Sequence, residues 1–72
     1  MTITVSPASV RYEDHGWRVS VVEERGALVF AVESINTGSF AFDSGTNLDQ
    51  LAALIVAAKA DALSRGINWS GN

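Results

Sequence analysis

The sequence predicts an α+β domain: a four-stranded antiparallel β-meander with one long C-terminal α-helix packed on one face. Three observations carry that prediction. Residues 46–66 read as a single helix with a start signal, a stop signal and an apolar stripe. Ahead of it, His15-Gly16, Arg25-Gly26 and Asn36-Thr37-Gly38 punctuate stretches of alternating apolar and polar residues. The registers these turns impose also agree with one another, keeping the same side chains on one face as a half-buried sheet requires.

In residues 1–9, Ile3 and Val5 alternate with Thr2, Thr4 and Ser6 before Pro7, which suits an N-terminal segment or edge strand. The meander is expected over 10–43. A two-residue loop at His15-Gly16 sets Tyr12 opposite Val19 and Val10 opposite Val21. The same loop length at Arg25-Gly26 sets Val21 opposite Phe30 and Val19 opposite Val32. A three-residue loop, with Gly38 left-handed, sets Val32 opposite Phe42 and Ser34 opposite Phe40.

The inner face is then Val10, Tyr12, Trp17, Val19, Val21, Leu28, Phe30, Val32, Phe40 and Phe42. On the outer face Arg18 falls between Glu13 and Glu33, beside Ser20, Val22, Val29 and Ala31. The outer valines reflect strand propensity alone, or they mark a patch that a partner covers. On the second reading Arg18, Val22, Val29, Ala31 and Glu33 are the candidate partner-binding residues.

Thr46 and Asn47 are both good N-caps, with Asp49 and Gln50 completing an approximate capping box in either register. Asp49 and Arg65 suit the two ends of the helix dipole, and Gly66 is the expected left-handed stop, with Ile67 folding back near Leu63. At about 100° per residue, Leu48, Leu51, Ala52, Ile55, Ala58, Ala62 and Leu63 form the core face, with the Lys59 stem along its edge. Residues 51–58 are apolar all the way round. Ala53, Ala57 and Ala60 line the far side with Ser64, either because alanine is the best helix former or because a second helix packs there. The second reading makes Ala53, Ala57 and Ala60 candidate self-association residues in a homodimer. The tail, 67–72, carries Trp69, which docks on the core margin or frays.

Seventy-two residues make one domain, 1–72, whose limited burial favours support from oligomerisation. A net charge of −3 with only five basic residues argues against direct nucleic-acid binding, which depends on clustered Lys and Arg. No basic segment followed by an apolar stretch marks a secretory signal, and no apolar run approaches the ~20 residues of a membrane span. A soluble cytoplasmic protein is expected.

Chemistry is sparse. The chain has no cysteine and one histidine, His15, in a turn between Asp14 and Gly16, so no transition-metal set can be completed. Asp43-Ser44-Gly45 lacks the strand-to-helix serine elbow and reads as turn and capping chemistry. No glycine-rich phosphate loop and no calcium-loop spacing is present. No enzyme, no cofactor and no metal are expected.

Tyr12-Glu13-Asp14, Val22-Glu23 and Phe42-Asp43-Ser44, followed by Leu48-Asp49-Gln50-Leu51, resemble a small phage anti-CRISPR protein of the type I-F class. The resemblance implies a non-catalytic inhibitor that blocks a CRISPR effector by occupying its backbone subunits. It also implies that Tyr12 and Glu23 contact the target, although the register points Tyr12 inward. Gly45-Thr46-Asn47-Leu48-Asp49 is similar to the helix start of HicB-type antitoxins; the proline-containing segment and DNA-binding region of that family are absent. The functional expectation is therefore a small protein-binding inhibitor acting on a host protein complex. The alternative is a homodimeric structural or regulatory module such as an antitoxin-like protein.

Overall fold

A computed structural model describes residues 1–42 and 45–65. Four antiparallel strands, β1 (Thr2–Ser6), β2 (Ser9–Asp14), β3 (Trp17–Glu24) and β4 (Ala27–Ser34), form one open sheet in chain order. One helix, α1 (Leu48–Ser64), follows and packs on one face. This is the ββββα architecture expected from the sequence.

Two tight turns set the register. His15 and Gly16 have φ of 49° and 81°, and Arg25 and Gly26 have 53° and 81°. Positive φ at both central residues is the type I′ geometry, whose twist matches that of the strands it joins. The pairs Tyr12–Val19, Val10–Val21, Val21–Phe30 and Val19–Val32 all form as expected. A third two-residue connection, Pro7-Ala8, joins Ser6 to Ser9 and adds the N-terminal segment as the edge strand β1.

The fourth strand is therefore not the one expected. Residues 40–42 form no strand, and neither Phe42 nor Phe40 pairs with β4. Gly38 is left-handed at φ 67°, and its N–H donates to the Ser34 carbonyl at 2.7 Å, so the turn itself forms. Beyond it the Ser39 hydroxyl donates to the Ala41 carbonyl at 2.8 Å and accepts from the Ala41 N–H at 3.3 Å. A serine that captures nearby backbone groups offers the chain an alternative to a ladder. Phe40, expected inside, is 72% exposed. Phe42 does turn inward, meeting the Trp17 ring edge-to-face at 4.8 Å.

The core is Val10, Tyr12, Trp17, Val19 and Val21 from β2 and β3, with Leu51, Leu54, Ala58 and Ala62 from α1. Leu28, Phe30, Val32, Phe42 and Ile55 pack around it, half-buried. Asn47 is the N-cap, its side-chain oxygen accepting from the Gln50 N–H at 3.2 Å. The helix is rotated from the expected orientation. Leu48, Ala52 and Leu63 face solvent, and Leu54 is buried in their place. Apolar residues all round residues 51–58 leave hydrophobicity unable to choose the rotation; a polar contact described below chooses it. The expected stop at Gly66, the Ile67 contact, Trp69, Asp43 and Ser44 lie outside the described residues.

Gly16 tests the turn geometry. A Cβ added there would lie 3.0 Å from Asn36 Nδ2, on a backbone already left-handed. Gly16→Ala is expected to lower stability by about 1–2 kcal/mol. Arg25→Asn, at an exposed left-handed position that asparagine tolerates better, should raise it. Thermal unfolding followed by circular dichroism measures both, and equal melting temperatures for Gly16→Ala and the unmodified chain would contradict the turn assignment.

Candidate functional site

A long-range polar contact ties the end of the helix to the sheet. Tyr12, fully buried on β2, donates its hydroxyl to Asp61 Oδ2 at 2.7 Å. Arg65 Nε donates to the same oxygen from one turn along the helix. A buried phenol needs a partner, and Asp61 is the acceptor that Tyr12 meets at the helix edge. Arg65, and then Tyr12, hold the Asp61 carboxyl below the usual carboxylate range. Burial first, and then Asp61, push the Tyr12 phenol up to about 12. At neutral pH the tyrosine stays protonated and the aspartate ionised, so the pair is a structural tie and not a proton-transfer couple.

The outer sheet face carries the expected charge row. Arg18 donates from Nε to Glu13 Oε2 and from Nη1 to Glu33 Oε1, both at 2.9 Å. The Glu33 and Glu13 hydrogen bonds raise the arginine pKa further. Val22, Val29 and Ala31 lie on the same face, with Val29 and Ala31 exposed. Glu23 does not join them. It pairs with Leu28, on the helix side of the sheet, and its carboxylate accepts from the Gly26 N–H at 2.7 Å, closing the turn. Tyr12 has no exposed surface, so the contact that the anti-CRISPR resemblance implied for it has no counterpart on the surface of this structure.

The solvent side of α1 carries large apolar side chains among a few polar ones. Leu48, Val56 and Leu63 are 45%, 69% and 60% exposed, and Ala52, Ala53 and Ala60 are exposed around them. Asp49 and Lys59 are the charged residues on that side. The helix rotation brings one edge of the alanine stripe, Ala57, toward the sheet. Ala53 and Ala60 are exposed, and Ala53 with the half-buried Ala57 also lines a cleft of about 180 Å³ with Met1, Asp14, His15, Gln50 and Leu54. There Asp14 Oδ1 lies 3.2 Å from His15 Nδ1 and 3.8 Å from the Met1 amine.

A second cleft, about 360 Å³, lies between Trp17, Phe42 and the hydroxyls of Ser34, Thr37, Ser39 and Thr46. Among the described residues its lining has no acid or base. Among the described residues, no three His, Cys, Asp or Glu side chains are grouped to hold a metal ion. No helix among them is long and apolar enough to cross a membrane.

Comparison with protein-family models, curated proteins and solved structures gives no match to this chain. The candidate site therefore rests on geometry alone. Sequence reasoning missed the exposed Leu48–Val56–Leu63 side and the role of Asp61. The available signal was Asp61 itself: an acid one turn before Arg65, on the helix edge next to an inward-pointing tyrosine.

Tyr12 is the only tyrosine, so its phenolate absorbance reports on this contact alone. Its titration midpoint is expected near pH 12, against about 10 for a free tyrosine. Because the folded pKa is the higher, the tie is fully present below about pH 10 and is lost as pH rises toward 12. For Asp61, whose folded pKa is lowered, stability is present above the usual carboxylate range and lost in acid. Tyr12→Phe should cost about 1–2 kcal/mol at neutral pH and abolish the alkaline part of this dependence. Urea unfolding across pH checks this, and an unmodified chain whose phenol titrates near 10 would show the hydroxyl to be solvated.

Proposed function

We propose that this chain is a non-catalytic protein-binding domain, a small inhibitor that occupies a surface of a larger host complex in the bacterial cytoplasm. The observation that carries the reading is the solvent side of α1, where Leu48, Val56 and Leu63 are exposed. Large apolar side chains aligned at helical spacing are the anchors by which an amphipathic helix enters a partner's groove. The outer sheet face adds a hydrogen-bonded charge row, one arginine between two glutamates, around Arg18. The resemblance to phage anti-CRISPR proteins of the type I-F class supplies the specific form: an anti-defence protein that covers a CRISPR effector. Its contacts would fall on the exposed residues of the helix and the outer sheet, since Tyr12 is buried.

A bacterium with an active type I-F CRISPR system tests the specific form. Expression of the unmodified chain is expected to restore plating of a targeted phage, and the purified chain to co-elute with the effector complex. Val56→Glu, at an exposed position, should lose both activities by tenfold or more while keeping the same circular dichroism, in the manner of a buried anchor at an interface. Absence of both rescue and co-elution for the unmodified chain would rule out the anti-CRISPR form. A homodimeric module is the second reading, favoured by a different observation at the edge of the sheet.

A further inference from the structure

The helix covers the middle of the sheet and leaves β4 at an open edge. Packing of α1 runs over β2 and β3, with no close approach to β1 or β4. In an antiparallel pair, residues alternate between those whose backbone groups face the neighbour and those whose groups face away. The two-residue turn at Arg25-Gly26 makes Glu24 and Ala27 a hydrogen-bonded pair, so Val29, Ala31 and Glu33 also bond to β3. Leu28, Phe30, Val32 and Ser34 point their N–H and C=O groups outward. Ser34 confirms the parity, since its N–H donates to Ser39 at 3.0 Å and its carbonyl accepts from Gly38. Leu28, Phe30 and Val32 find no such partner among the described residues.

We infer that this edge pairs with β4 of a second copy, giving a two-fold dimer with one continuous eight-stranded sheet. This inference does not depend on the inhibitor reading. The devices that normally blunt an edge are missing from β4. It is eight residues long, and between Ala27 and Val32 it has no charge, no proline and no bulge. The strand is also self-complementary. With Phe30 on the two-fold axis, Leu28 falls opposite a second copy's Val32, and the three outward-facing pairs can each exchange both backbone hydrogen bonds.

The same register stacks the half-buried Leu28, Phe30 and Val32 side chains of both copies in the trough beside the helices. Glu33 then faces a second copy's Ala27, so no like charges meet. The other edge, β1, is shorter and ends at Pro7. Pairing β1 with β4 would be head-to-tail, giving a ring or an open chain, whereas β4 with β4 closes as a dimer.

Sedimentation of the unmodified chain at about 100 µM decides whether the pair exists, because a dimer of this kind is concentration-dependent. A mass twice 7.6 kDa is expected. Leu28→Pro removes an outward N–H without touching the β3 ladder, so it should give the monomer mass with an unchanged circular dichroism spectrum. Should that variant unfold, the double variant Val29→Lys and Ala31→Lys serves instead. Both positions are exposed, and the register sets lysine opposite lysine across the axis. Val56→Glu, on the helix, should leave the dimer intact. A monomer mass for the unmodified chain overturns the inference, and so does a dimer that survives the lysine pair.

Discussion

The hydrogen bond from Tyr12 to Asp61 decides how this chain presents itself. Residues 51–58 are apolar on every side, so burial alone would accept several rotations of the helix over the sheet. Tyr12 accepts only one. Its ring fills the centre of the inner face and its hydroxyl requires an acceptor at the end of that ring. Once Asp61 is placed there, Leu54, Ala58 and Ala62 must face the sheet, and Leu48, Val56 and Leu63 must face water. Ala58 and Ala62 are almost fully buried, and their small size lets the helix lie close against β2 and β3. The outward apolar side is thus a consequence of an inward polar contact.

Arg65 completes that arrangement. A lone carboxylate at the core margin would be poorly compensated; the guanidinium one turn on shares the same oxygen and favours its ionised form. On the opposite face of the sheet Arg18 plays the inverse part, one cation held between two carboxylates on neighbouring strands. In both clusters every charge has an opposite partner, although the Arg18 set keeps a net charge of −1, so a partner covering either surface would bury no unpaired charge.

The strand registers were legible because two independent signals coincide. Gly16 and Gly26 can take the left-handed second position of a type I′ turn, and alternation on either side then allows only one pairing that keeps the valines together. The helix start was legible to within one residue, from Thr46 and Asn47 as alternative caps, and Asn47 takes the Gln50 N–H. The rotation of the helix was not, because it depends on one tyrosine and one aspartate forty-nine residues apart. The identity of the fourth strand was not either. Phe40 and Phe42 alternate as a strand would, yet Ser39 captures the Ala41 backbone and turns the chain off β4. Ile3 and Val5 carried an equally good alternation, and a plain two-residue turn placed them in the sheet.

What the chain leaves uncovered follows from its size. One helix of seventeen residues spans about 25 Å and is roughly 10 Å wide, enough to roof two strands but not four. Centring it on β2 and β3 buries the largest side chains and leaves both edges of the sheet unroofed. The two surplus surfaces are separate: the β4 edge lies in the plane of the sheet, while Leu48, Val56 and Leu63 are exposed on the helix that covers its face. Joining two copies at β4 about an axis perpendicular to the sheet would keep both helices on the same face. Their apolar sides would then point in one direction, so edge pairing and partner binding do not compete for the same atoms. A paired form would present that helical surface twice, and a partner with repeated subunits would meet both at once, gaining avidity without any new contact in either interface.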